Sequence, residues 1–436
     1  MFKLTFLGAG STVFAKNVLG DVVYTPEIKD IELALYDIDV QRLEDSFLMM
    51  KALIKGSGRK DVCVVKYTDR LAALKGADFV VNAIQVGGYE PCTVSDFEIP
   101  KKYGLRQTIA DTLGVGGIFR ALRTIPVMAD FARDMEAVCP KALFINYTNP
   151  MAILTGYMLR YTKIRTVGLC HSVQVCAKHL LQSLGLADKL PDCRWEIAGI
   201  NHQAWLLKIE DGRGNDLYPE IKRRVRAKQF SHTWDFVRHE MMLNFGYYNT
   251  ESSEHTAEYV PYFIKAKHPE FIERFNIPLD EYPRRCIKQI ADWADMRKDL
   301  TGKPEICHNK SDEYAASIIS AAVTDVPVRI HGNVLNEGLI DNLSREACVE
   351  VACLADRNGI SPCRVGRLPE QLAALNRTNI NVQLMTIEAA VTLKKDAVYQ
   401  AAFLDPHTAA ELTMDEIKAM CDDLFEAHKG WMPEYR

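Results

Sequence analysis

An apolar, β-prone run at residues 3–7 (KLTFL) ends in Gly8-Ala9-Gly10-Ser11, after which residues 12–19 can begin a helix. A second run at 31–36 (IELALY) ends in Asp37-Ile38-Asp39, and residues 40–54 carry the spacing of an amphipathic helix. Further apolar runs at 62–67, 79–84, 143–147 and 166–169 alternate with helical stretches. Strands that alternate with helices must pair in parallel and be covered on both faces. The first 193 residues therefore read as an α/β domain, a Rossmann-like doubly wound parallel sheet.

Beyond residue 194 the pattern changes. Residues 195–200 and 204–209 read as strands, and mostly helical sequence follows to the C-terminus. Residues 194–436 are expected to form a mixed α+β domain for substrate, metal and subunit contacts. No Pro/Gly/Ser linker or internal repeat separates the halves, so they should pack as one unit.

A dinucleotide pyrophosphate needs a turn free of β-carbons, so that backbone N–H groups and the helix dipole can approach its charge. Gly8 and Gly10, with Ser11 at the helix start, supply such a turn. Val13 replaces the third glycine of the GxGxxG pattern, which should hold the helix slightly farther from the sheet. Asp37, ending the second strand, lies where a carboxylate accepts the ribose hydroxyls and repels a 2′-phosphate, favouring NAD over NADP. The plain alternative is a tight turn and a surface aspartate.

The charges argue against other partners. There are 53 Lys plus Arg and 57 Asp plus Glu, mixed along the chain, without the basic stripe that nucleic-acid backbones select. No run approaches the roughly 20 apolar residues of a membrane span. The N-terminal apolar stretch is too short for an export signal, so a cytoplasmic protein is expected. The 12 cysteines contain no CxxC pair, and a reducing compartment would keep them as thiols.

Three polar clusters stand at strand ends, where ligands of open parallel sheets gather: Asn149-Pro150, Cys170-His171 and Asn201-His202. A thiolate and an imidazole can hold a divalent ion and leave positions open for substrate. A buried cysteine and a hydrogen-bonded core histidine are the plain alternative. His171 is the natural proton donor, since its unperturbed pKa is near neutrality. The segment ESSEHTAEYVPYF, residues 251–263, offers Glu254, His255, Glu258, Tyr259 and Tyr262 at helical spacing. Tyr259 can act as a base where a nearby cation lowers its pKa.

The motifs LGAGSTVFAKNVLGD, LYDID, VGGYEPCTVSDFE, QTIADTLGVGGIFRALRTIP, NYTNPMA, GLCHSVQ, AGINHQAW and ESSEHTAEYVPYF together resemble glycoside hydrolase family 4, along the whole chain. The resemblance is strongest to its α-galactoside-cleaving branch. It implies a hydrolase dependent on NAD and Mn²⁺ that cleaves unphosphorylated α-galactosides such as melibiose. The implied course is oxidation at C3, deprotonation at C2, elimination, water addition and re-reduction. α-Glucosidase and uronidase activities belong to the same family, and a 2-hydroxy-acid dehydrogenase is the rival from another class. By resemblance Cys170 and His202 match the metal ligands, and Asn149 matches a substrate contact. His171 stands at the proton donor's position, Tyr259 matches the catalytic base with Tyr262 and Glu258 as alternatives, and Asp111 matches the tyrosine's acidic support. Members that take phosphorylated sugars carry an arginine where this chain has Cys92, and a neutral thiol offers no phosphate fork. Arg284 and Arg285 are left as cations for hydroxyls or a neighbouring subunit. A homodimer or homotetramer is implied.

Overall fold

The computed structural model describes residues 2–436. Among them twelve strands form one sheet. They are β1 (Phe2–Leu7), β2 (Ile31–Tyr36), β3 (Val62–Tyr67), β4 (Phe79–Asn82), β5 (Leu143–Asn146), β6 (Arg165–Gly168), β7 (Arg194–Ile200), β8 (Gln203–Glu210), β9 (Tyr248–Asn249), β10 (Val328–Leu335), β11 (Cys348–Asp356) and β12 (Gly359–Pro362). The first six pair in parallel in the order β3-β2-β1-β4-β5-β6, the doubly wound arrangement expected of the sequence.

Alternation along the strands assigns the two faces. Leu4 and Phe6 of β1, Val81 of β4 and Ile145 of β5 pack with helices Thr12–Val23, Val40–Ser57 and Ala315–Thr324. Their neighbours Leu7, Val80 and Phe144 point the other way, toward helices Gly114–Val138 and Met151–Tyr161. Asp39 caps Val40–Ser57 by accepting from the Gln41 and Arg42 amides, both at 3.0 Å. Val13 does not wedge helix Thr12–Val23 away from the sheet. It is 42% exposed, and the helix packs through Ala15, Val18, Leu19 and Val22 instead.

The second half continues the same sheet. β10 runs antiparallel to β6, with Asn333 opposite Gly168, and the order proceeds β10-β11-β7-β8-β9. β10 to β12 fall where the sequence read as mostly helical. β10 is broken by His331-Gly332 and β11 buries Glu350 among its apolar residues, so neither shows a clean apolar run. No helix among the described residues is long and apolar enough to cross a membrane.

Candidate active site

The turn after β1 is built as a nucleotide cradle requires. Gly8 has φ +87°, and a β-carbon there would stand 2.6 Å from the Ala83 carbonyl oxygen. A β-carbon on Gly10 would meet Asp37 Oδ2 at 2.8 Å. The Gly10 amide donates to that oxygen at 2.6 Å, and Asp37 Oδ1 accepts from the Asp39 amide at 2.8 Å. Asp37 thus ties the glycine turn to the end of β2. Ser11 stands at the N-terminus of Thr12–Val23 without a side-chain capping bond. Bare backbone, a helix N-terminus and a carboxylate at the next strand end fit a dinucleotide.

Three segments converge on a second centre. Cys170 follows β6, and His202 occupies the two-residue turn between β7 and β8 at φ +61°. Asn249 Nδ2 donates to the His202 carbonyl at 3.2 Å, holding that left-handed turn. Glu251 follows β9. Its Oε2 lies 3.4 Å from His202 Nε2 and 3.9 Å from Cys170 Sγ, and the three donor atoms lie within 4.8 Å of one another. Burial and the neighbouring His255 hold His202 down to about 4, so the imidazole is neutral. Burial opposes ionisation of Glu251, but His202, His255 and the Ser252 amide outweigh it and hold the carboxyl down to about 2. Burial, followed by Glu251 and Glu350, pushes the Cys170 thiol well up. A neutral imidazole, a carboxylate and a thiol that a cation would ionise are a fitting donor set for a divalent ion.

Glu251 is a donor that the sequence reading did not assign, although it opens the quoted ionisable segment. His255, one of the bases the sequence offered in that segment, is not a donor but packs against the cluster. Its ring meets the His202 ring edge-on at 4.4 Å, Nε2 lies 3.9 Å from Asp111 Oδ1, and Nδ1 is 3.0 Å from Ser252 Oγ. Nothing in the local spacing selects His255, because its partners lie on other segments.

Around this centre stand Asp111, Asn149 and Tyr259. Asn149 Nδ2 donates to Asp111 Oδ2 at 3.0 Å. Tyr259 is 2% exposed, and its ring centroid is 6.3 Å from that of His202. Burial drives its hydroxyl pKa well up against the Thr112 bond, and the Asp111, Glu258 and Glu251 carboxylates add to the rise. Of the alternatives, Tyr262 is 46% exposed and stacks on Phe245, away from the cluster. Glu258 is buried and spends its carboxylate on the Thr108, Ile109 and Ala110 amides. His171 is exposed beside Cys170, at the start of helix Ser172–Ser183.

Cys92 is fully buried against Gly87, with its thiol pushed up to about 11 by burial despite Arg123. Arg123 is itself consumed. Its Nη1 and Nη2 donate to Asp96 at 3.2 and 2.6 Å, and Nε donates to the Val86 carbonyl. Arg284 and Arg285 both pair with Glu281, and Arg285 also donates to Glu254 at 2.8 Å. These cations are neutralised within the chain.

Fold and site define an α/β enzyme with a glycine turn fit for a dinucleotide after its first parallel strand and, where the end of β6 comes near the antiparallel strands β7 to β9, three donors that could hold a metal ion. The profile of the family 4 glycosyl hydrolases matches residues 3–186, and that of the family 4 glycosyl hydrolase C-terminal domain matches residues 197–408. The chain belongs to glycosyl hydrolase family 4. It is 62% identical to an α-galactosidase of Bacillus subtilis (strain 168), over 100% of both chains. Among solved structures, the putative glucosidase lplD of Bacillus subtilis superposes with a TM-score of 0.86 at 25% identity, covering 97% of this chain and 99% of that one. A 6-phospho-α-glucosidase from gut microorganisms, solved in complex with NAD and Mn²⁺, superposes with a TM-score of 0.82 at 22% identity over 100% of both chains. The expected family and fold are both borne out.

Proposed function

We propose that the chain is an NAD- and Mn²⁺-dependent α-galactosidase acting on small, unphosphorylated α-galactosides. The observation that carries the reading is full-length, 62% identity to an α-galactosidase, in a chain that has the glycine turn after β1 and gathers Cys170, His202 and Glu251 in one cluster. Gly8, Gly10, Ser11 and Asp37 hold the nucleotide, and Cys170, His202 and Glu251 hold the metal. When bound, these groups would supply reversible hydride acceptance and a positive charge that stabilises negative charge developing on the sugar.

The protein side chains then divide the remaining work. Tyr259 takes the C2 proton once positive charge nearby lowers its pKa. Asp111 orients Asn149 toward the sugar and faces the tyrosine. His171, exposed beside Cys170, gives a proton to the leaving oxygen. Most glycosidases place two carboxylates around the scissile bond, and family 4 is itself a recognised exception. Arg123, Arg284 and Arg285, each paired with a carboxylate, and the neutral Cys92 support an unphosphorylated sugar, because none of the four offers a free charged fork to a phosphate.

The proposed working form is a cytoplasmic homodimer or homotetramer. All twelve cysteines are free thiols, as a reducing compartment would keep them. Helix Glu281–Gly302 leaves Ile287 and Ile290 each 55% exposed as apolar surface for subunit contact, and solution mass measurement checks this. Domain 1–193 carries the nucleotide, and domain 194–436 completes the metal and sugar sites.

The deciding experiment is a panel of nitrophenyl α- and β-glycosides assayed with NAD⁺, Mn²⁺ and thiol. Cleavage of the α-galactoside without accumulation of NADH is expected. Stoichiometric NADH with an oxidised product would make the chain a dehydrogenase and overturn the reading.

A further inference from the structure

We infer that Arg120 is a substrate-positioning residue, whose buried guanidinium holds Asn149 from its backbone side and ties it through Tyr282 to helix Glu281–Gly302. The inference rests on the proposed α-galactosidase reading, in which Asn149 meets the sugar.

Arg120 lies in the second turn of helix Gly114–Val138 and is 7% exposed. A guanidinium so enclosed is costly unless its donors are matched. Nε donates to the Asn149 carbonyl at 3.2 Å, and Nη1 donates to the Tyr282 hydroxyl at 3.2 Å, with Cζ 5.6 Å from that ring's centroid. Asn149 is therefore gripped at both ends, its carbonyl by Arg120 and its amide by Asp111. A carboxylate only accepts, so the Asp111 contact fixes which end of the amide is Nδ2. Among the described residues Asn149 Oδ1 has no partner, which leaves an acceptor of set orientation for a sugar hydroxyl.

These contacts close into a ring. The Tyr282 amide donates to the Thr108 carbonyl at 3.1 Å, and Thr108 belongs to the loop that carries Asp111. Asp111, Asn149, Arg120, Tyr282 and Thr108 thus form one circuit, joining four separate stretches of chain. Arginine suits the corner because its planar fork sends two donors in fixed, diverging directions, whereas a lysine ammonium is a point charge. No other function described above uses this guanidinium.

The test measures galactose binding calorimetrically to protein loaded with NAD⁺ and Mn²⁺, alongside NAD⁺ affinity, for Arg120→Lys, Tyr282→Phe, Asn149→Ala and the Arg120→Lys/Asn149→Ala pair. Arg120→Lys is expected to weaken galactose about tenfold, the cost of a lost charged hydrogen bond, with NAD⁺ affinity unchanged. The double variant should bind no worse than Asn149→Ala alone, because Arg120 acts only through Asn149. Normal galactose affinity in Arg120→Lys, or losses that simply add, would overturn the inference, and a parallel fall in NAD⁺ affinity would reduce Arg120 to a structural part. Should Arg120→Lys fail to fold, Tyr282→Phe carries the test, with about a threefold weakening expected and no change overturning it. A wild type that ignores α-galactosides sinks the functional reading instead, and the same variants are then read on the glycoside it cleaves.

Discussion

The Glu258 carboxylate accepts from the Thr108 amide at 2.6 Å across 150 residues of sequence, and it also takes the Ile109 and Ala110 amides. One buried side chain thus shapes the loop that presents Asp111, from the position next to Tyr259. Glu258→Ala leaves these amides without an acceptor and is expected to cost on the order of 3 kcal/mol in urea unfolding, with activity falling further than stability. Unchanged kcat would separate the loop from the chemistry.

The same residue gives a pH signature. Burial pushes Glu258 up to about 7 from an ordinary 4.5, against the pull of the Thr108 and Ala110 amides. Its proton is then held more tightly folded than unfolded, so this group's contribution to stability falls as pH rises from about 4.5 through 7, by on the order of 3 kcal/mol at most. In Glu258→Gln that fall is absent, and the Tm of the variant relative to wild type should climb over this window. Parallel Tm curves would refute the shift.

Glu251 makes a separate prediction. Glu251→Gln preserves shape but removes the carboxylate charge beside His202 and Cys170, so the Mn²⁺ concentration for half-maximal activity should rise at least tenfold. Cys170→Ser should abolish activity while NAD⁺ still binds, because a hydroxyl is a far poorer anionic ligand. Chelation should silence the wild type and added Mn²⁺ restore it. A Glu251→Gln titration that overlays the wild type would remove Glu251 from the donor set.

Tyr259→Phe should suppress exchange of the sugar C2 proton with solvent deuterium, followed by NMR. Tyr262→Phe should leave it untouched, since Tyr262 lies at the surface on Phe245. Equal exchange in both variants would pass the base role to another residue.

Asp37→Ala removes both the expected ribose contact and the acceptor that pins the Gly10 amide. NAD⁺ affinity, read by fluorescence, should drop about tenfold, and discrimination against NADP⁺ should narrow. Discrimination preserved at full strength would move the ribose contact elsewhere, with Asp39 next in line.

The first six strands were legible because each is a short apolar run bounded by turn residues, and the paired alternations of β7 and β8 were as plain. β10 and β11 escaped because their buried faces carry His331, Asn333 and Glu350, polar residues that periodicity counts as outward. The site divides similarly. Gly8, Gly10, Cys170 and His202 announce themselves through strand-end context and family motifs. Glu251, His255 and Arg120 take their meaning from partners on distant segments, and only the folded chain brings those together.

The pairing of Asn333 with Gly168 has a consequence for how this protein is made. A nascent polypeptide still missing its second half lacks helix Ala315–Thr324, which packs on β1, β4 and β5, and holds Cys170 alone, with Glu251 81 residues further on. An ion at Cys170, His202 and Glu251 would then clasp loops that the finished sheet brings together, and an apo-protein isolated from metal-starved cells should be folded, NAD-competent and waiting.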